Sequence, residues 1–271
     1  MTGKSVWLGR ARGPVKLAMI GFCAAALLLY IWLVAMRITA PETAIGMHEM
    51  IRPAGRPIVQ LMLFALGGAL LFASVYLSDF KGWIEPAQKG FFDIVSLVLG
   101  RAAMILVAVI VLVMFYEVVS RYVFSRPTLW ANELSLWLAS FVFLLAGQYA
   151  MQQRSHIRIY VIYDQMPRWM RKASDTLSVL LIVGFAFALV WGGYNDAKTR
   201  FLRMETFGTA WDPPIPGIVK PFLIIAIVLV AVQAVSNLIA DWNRDASNLH
   251  ADEIDEVEIE NIRRTLEDQT R

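Results

Sequence analysis

EVVSRYVFSRPTLWANELSLW, residues 117–137, sits between two long apolar runs and can be read almost residue by residue. Arg126 precedes Pro127. Proline disfavours helical geometry in the residue before it, while its own fixed φ suits the first turn of a new helix. One helix must therefore stop short of Arg126 and another start near Thr128, which predicts a tight helical hairpin. On the near side of the turn Glu117 and Arg121 are four residues apart, so they share a helical face and are spaced for an ion pair. Arg126 and Glu133 flank the turn. Trp130 and Trp137, seven residues apart, share a face of the second helix, with Trp130 at the depth of an interfacial anchor.

The runs on either side belong to a set of six. A chain of 271 residues with 58% hydrophobic side chains and a mean hydropathy of +0.55 has more apolar surface than one soluble core can bury. Spanning a hydrocarbon layer of about 30 Å takes roughly 20 helical residues, and only segments that satisfy their own backbone hydrogen bonds can do so. Residues 17–36, 58–77, 94–116, 128–151, 177–194 and 218–240 meet that requirement. The expected fold class is an all-α, polytopic membrane helical bundle.

Lys and Arg set the expected orientation. Lys4, Arg10, Arg12 and Lys16 precede the first span, and Arg154, Arg158, Arg168, Arg171 and Lys172 lie between the fourth and fifth. Both clusters are expected in the cytoplasm, giving N-in, C-in, against a smaller group on the other face: Arg37, Arg52, Arg56, Lys198, Arg200 and Arg203. The first span reads as uncleaved, because its apolar run exceeds a signal peptide's core and Arg37 stands where a cleavage region is small and neutral. Cys23, the single cysteine, lies within that span; it excludes an internal disulfide and reads as a buried structural thiol. From Asp245 onward nine Asp and Glu face three Arg, so the tail, 244–271, is acidic and is either a solubilising end or a docking segment for a cytoplasmic partner.

Several chemistries are absent from the pattern. His48, His156 and His250 all fall outside the spans, which removes the axial ligands of a membrane haem protein. There is no GxxxxGK[ST] phosphate loop, no carboxylate pair within a span and no acidic cluster at metal-ligand spacing. No catalytic, cofactor-binding or metal-binding residue is therefore assigned. The charges nearest the membrane are Asp93 and Arg101, on one face at the start of the third span; Arg101 either snorkels to the interface or contacts another subunit or a lipid headgroup.

Residues 156–172 place Ile159, Ile162, Tyr163, Met166 and Met170 on one stripe with Arg158, Arg168, Arg171 and Lys172 off it, the pattern of an interfacial amphipathic helix with its cations at lipid headgroups. In the fifth span Gly184, Ala188 and Gly192 form a small-residue ladder for close helix packing. The loop expected at 195–217 is stiffened by Pro213, Pro214 and Pro216, carries Lys198, Arg200 and Arg203, and has Trp211 as an amphipathic anchor.

Taken in order, FYEVVSRYVFSRPTLWANEL (115–134), GQYAMQQRSHIRI (147–159), Pro167-Arg168-Trp169 and AWDPPIPGIVKP (210–221), with Gln233 and Asp241 beyond, resemble the small permease subunit (DctQ-like) of tripartite ATP-independent periplasmic (TRAP) transporters. The last stretch is similar to the mannitol and chloroaromatic branch. The resemblance spans about 91–242 and implies a four-helix unit, 91–243, in a bacterial inner membrane. It also implies a non-catalytic subunit beside a large permease subunit (DctM-like) that carries the substrate and the sodium ions. A periplasmic substrate-binding protein and membrane lipid would be the other partners, with no nucleic acid. Arg101, Glu117, Arg121, Arg126, Trp130, Glu133, Trp137, Arg158 and Trp211 are the candidate partner-interface residues. The first two spans, 1–90, depart from this pattern. An assembly or anchoring subunit of another membrane complex is the alternative, and an independent small carrier is a third.

Overall fold

The computed structural model describes residues 5–80, 90–153 and 166–242. Within them seven α-helices follow in order: α1 (Arg12–Thr39), α2 (Met47–Met50), α3 (Pro57–Ser78), α4 (Phe91–Tyr122), α5 (Trp130–Gln152), α6 (Arg168–Leu202) and α7 (Ile215–Asp241). All except α2 are long and apolar enough to cross a bilayer. The six expected spans are therefore all present. Proline marks the starts: Pro57 opens α3, Pro216 falls in the first turn of α7, and Pro167 caps α6 in extended geometry.

The largest departure from the sequence reading is the length of α6. Its 35 residues rise roughly 50 Å, well beyond the hydrocarbon thickness. Arg168 to Lys172 form its first turns instead of ending a separate interfacial helix, because nothing after Pro167 interrupts the helical ladder. At its other end 195–202 are helical too, so the expected loop shrinks to 203–214. Residues 156–165 of the proposed amphipathic stretch, Arg158 among them, and the acidic tail lie outside the described residues.

The long helices pack in the order α1, α3, α4, α5, α7, α6, with α7 also reaching α4. The bundle is thus an open row thickened at its centre. There Ala102, Ala103, Leu106 and Leu145 are buried against Leu70, Leu99, Leu138, Phe141, Val142 and Phe222. Gly100 makes the closest crossing: a Cβ there would stand 2.4 Å from the Tyr149 ring. Gly68 plays the same part between α3 and α1, where Phe22 lies over its Cα and stacks on Phe72 at 5.3 Å.

The edge helices contrast with the inner ones. Only 6% of the apolar window of α1 and of α6 is buried, against 22–28% for α3, α4, α5 and α7. One reading needs correcting on this account. Cys23 is exposed, because among the described long helices α1 packs chiefly on α3. The Gly184, Ala188 and Gly192 ladder is also exposed, with nothing within 4 Å of a Cβ at either glycine. The face of α6 that packs in this chain carries Ala186, Gly193 and Ala197 instead, with Gly193 opposite Ile224 of α7.

Polar contacts bring the helix ends together. Asp79, fully buried just past α3, accepts at Oδ1 from the Ser5 hydroxyl and the N–H groups of Val6, Trp7 and Leu8, while Arg12 stands 3.3 Å from Oδ2. Burial alone would push this carboxyl up; the N–H groups of Trp7 and Leu8, the Ser5 hydroxyl and the Val6 N–H outweigh it and hold the pKa below the ordinary aspartate value. Arg101 donates to the Phe80 carbonyl, and Lys172 lies over the Trp242 ring. The start of α1 and the end of α7 therefore share one end of the row, as an even number of crossings requires.

Candidate functional site

The hairpin forms where Pro127 places it. Helix α4 runs on to Tyr122, and Ser125 takes a left-handed conformation at φ 54°. The Ser120 hydroxyl donates to the Arg126 carbonyl at 2.5 Å, while the Arg126 N–H donates to the Ser120 carbonyl at 2.9 Å. Glu117 closes the turn. It is 3% exposed, accepts from Arg121 Nε at 2.9 Å and from the Thr128 N–H at 3.0 Å, and also accepts from the Thr128 hydroxyl. The predicted i, i+4 pair is thus one half of a clamp whose other half is the start of the next helix. A carboxylate shielded from water persists when its lone pairs are this fully engaged.

Trp130 stacks on Tyr116 with ring centroids 5.6 Å apart, so it braces the hairpin from outside. Glu133 accepts from the Thr209 hydroxyl at 2.6 Å and joins α5 to the loop before α7. Trp211 does not occupy the position expected of it. It is 4% exposed, and its indole N–H donates to the Met47 carbonyl at 2.9 Å, which ties the 203–214 loop to the connector between α1 and α3. Arg52 and Asp212, 3.6 Å apart, reinforce that tie. The indole is an internal strut because the loop folds over it: Phe207 N–H donates to Pro213 O, Gly208 N–H to Asp212 Oδ1 and Gly217 N–H to Glu205 O. Arg200, expected in the loop, sits on α6 and is engaged by Asp196 and Glu205.

Trp137 packs toward the centre, 6.4 Å from Phe141, which in turn meets Phe222 edge-on at 5.0 Å. Its buried Nε1 has no hydrogen-bond partner among the described residues. Arg126 is exposed beside the turn. Arg101 lies at the opposite end of α4 from the hairpin, so the predicted residues do not form one patch. Glu117, Arg121, Arg126, Trp130 and Glu133 cluster at the turn; Arg101 stands apart.

At the Arg101 end is a site the sequence reading did not assemble. Gln148 Nε2 donates to Ser96 Oγ at 2.7 Å, and Ser96 Oγ donates to Gln233 Oε1 at 2.9 Å. Gln233 Nε2 donates to Asp93 Oδ1 at 2.8 Å and to Asn237 Oδ1 at 2.9 Å, and Asn237 Nδ2 donates to the Met151 carbonyl at 2.7 Å. Ser96 and Gln233 are fully buried and Gln148 nearly so. The chain of donors crosses α5, α4 and α7 and fixes their rotation. Its signal in the sequence was a polar side chain in each of three apolar runs. Among the described residues no three His, Cys, Asp or Glu side chains come together in a group that could hold a metal ion.

Comparison with known proteins places part of the chain in a family. Residues 110–244 match the family model for tripartite ATP-independent periplasmic transporters, DctQ component. The chain is 24% identical over 123 residues to the sialic acid TRAP transporter small permease protein SiaQ of Vibrio cholerae, covering 43% of this chain and 71% of that one. It is 25% identical over 109 residues to the C4-dicarboxylate TRAP transporter small permease protein DctQ of Vibrio cholerae, covering 40% and 47%. It is 26% identical over 102 residues to the sialic acid TRAP transporter permease protein SiaT of Haemophilus influenzae, covering 36% of this chain and 17% of that longer protein. No solved structure matches. The matched segment takes in the hairpin clamp, the Trp211 loop and the α5 and α7 members of the buried chain of amides. With its six apolar helices and that segment running from within α4 to just past α7, the chain is a DctQ-like small permease of the TRAP family.

Proposed function

We propose that this chain is the non-catalytic small membrane subunit of a binding-protein-dependent secondary transporter. Its large permease partner carries the sodium ions and the solute, a carboxylate or similar organic compound delivered by a periplasmic binding protein. The DctQ-component segment carries the reading, and the geometry supports it. A brace must resist shear, and the Glu117 clamp at one end and the buried amides at the other hold α4 and α5 in register. A carrier of its own would place interrupted helices at mid-membrane. Among the described residues the six long helices run through without such a break; Pro221, the proline inside a helix, falls near the start of α7. The partial match to the longer SiaT protein supports a large permease as the partner.

In this reading the chain lies in the bacterial inner membrane with both termini cytoplasmic. The hairpin residues Glu117, Arg121, Arg126, Trp130 and Glu133 stand near the partner or hold the backbone that does, and the exposed faces of α1 and α6 extend the surface available to it. Co-expression with a large permease subunit of the same transporter tests the assignment. Co-purification of the two proteins is expected, and Gly184→Trp combined with Gly192→Trp, which fills the open face of α6, reduces it. Isolation of this chain alone, under conditions where the large permease is folded and abundant, would refute the assignment.

A further inference from the structure

Between the end of α4 and the turn lies a groove of about 450 Å³ lined by Tyr116, Val119, Ser120, Phe124 and Arg126. That volume falls in the range of roughly 300–1,000 Å³ typical of ligand sites. Its two halves differ chemically. Val119, Phe124 and the Tyr116 ring form an apolar wall, with Phe124 66% exposed, and Arg126 stands at the rim. The Arg126 backbone is held at both its N–H and its carbonyl by Ser120, which fixes the root of the side chain. Its guanidinium makes no hydrogen bond or ion pair among the described residues. The neighbouring cation, Arg121, is committed to Glu117.

The groove also sits at a defined depth. Helix α4 ends at Tyr122, and the Tyr116 and Trp130 rings stack beside it, as aromatic residues do at the level of lipid headgroups. A lone, pre-placed guanidinium above an apolar wall at that depth matches a phosphodiester above an acyl chain. A soluble anion would satisfy Arg126 and leave the wall unused. We propose that this groove seats one membrane phospholipid, its phosphate on Arg126 and its first acyl segment along Val119 and Phe124. An anionic headgroup is preferred, because Arg126 has no carboxylate partner among the described residues. This inference concerns the chain and its bilayer and holds whichever complex the chain serves.

Native mass spectrometry of the full chain, released from nanodiscs containing phosphatidylglycerol and phosphatidylcholine, tests it. The expected result is one retained phospholipid, enriched in phosphatidylglycerol, with about fivefold weaker retention in Arg126→Gln, the loss expected for one interfacial cation. Arg126→Lys should keep most of the retention, and Arg203→Gln, which removes an exposed cation from the end of α6, should leave it unchanged. A photoactivatable phosphatidylglycerol should label 116–124 in the wild type, an assay that also reports on variants with altered stability. Displacement by millimolar inorganic phosphate would show that the groove takes a free anion and overturn the proposal. So would equal retention in Arg126→Gln and Arg203→Gln, as would loss of the large permease from Arg126→Gln with lipid retention intact, which would assign the groove to protein.

Discussion

The two ends of the helix row are held by different chemistry. At the hairpin end the ties are charged and run mostly through loops and caps: Glu117 to Arg121 and Thr128, Glu133 to Thr209, Arg52 to Asp212, and the Trp211 indole to Met47. At the other end neutral amides and a hydroxyl inside the spans join α4, α5 and α7, from Gln148 through Ser96 and Gln233 to Asn237, while the carboxylates there, Asp93 and Asp79, sit at the ends of the helices. Charged groups persist at a boundary where water and headgroups share the cost of desolvation. Deeper in, an uncharged donor and acceptor pair is the cheaper way to hold two helices together.

If the amide end sets the register of α4, α5 and α7, its loss should cost most. Gln233→Leu removes three hydrogen bonds, to Ser96, Asp93 and Asn237, each worth on the order of 0.6 kcal/mol between membrane helices. A loss of about 2 kcal/mol is expected in thermal or steric-trapping measurements of unfolding. A loss no larger than that of an exposed control such as Leu180→Ala would show that packing alone sets the register. Gly100→Ala comes next, at about 1–2 kcal/mol, because the new methyl group meets the base of the Tyr149 side chain and one of the two helices must move.

At the hairpin end Arg121→Gln should cost less, because Arg121 is half exposed and Thr128 still engages Glu117. Its signature is local: faster hydrogen exchange at the Thr128 amide with little change in global stability. A global loss equal to that of Gln233→Leu would erase the distinction between the two ends. At Asp79 the effect is confined to the start of the chain and depends on pH. Its folded pKa is depressed, so its contribution is complete above the ordinary aspartate pKa and is lost as the pH falls through the folded value. Acidification below that point should release Ser5 to Leu8, read as increased exchange of the Val6, Trp7 and Leu8 amides, while Asp79→Asn should show that exposure already at neutral pH.

This contrast also explains what the sequence disclosed. The hairpin was legible because its determinants are neighbours: a proline, an ion-pair spacing and two tryptophans within 21 residues. The six spans were legible because hydropathy is a local sum. The amide chain was not, since Ser96 and Gln233 are 137 residues apart and each alone is one polar residue in an apolar run. Trp211 was misplaced for a related reason: an indole suits a lipid interface and a folded loop equally well, and the Met47 carbonyl that decides between them is 164 residues away. Asp79 was illegible for the same reason, since its partners at Ser5 to Leu8 come from the other end of the first hairpin. Two faces of α6 carry Gly and Ala, and only the packing of α7 shows which of them is used within this chain.

Solute uptake by proteoliposomes measures the central proposal most directly. With the large permease and the binding protein present under an inward sodium gradient, adding this chain should raise uptake from background to a saturable rate, while this chain alone moves nothing. Sodium-driven accumulation of an organic acid by the purified chain alone would contradict it.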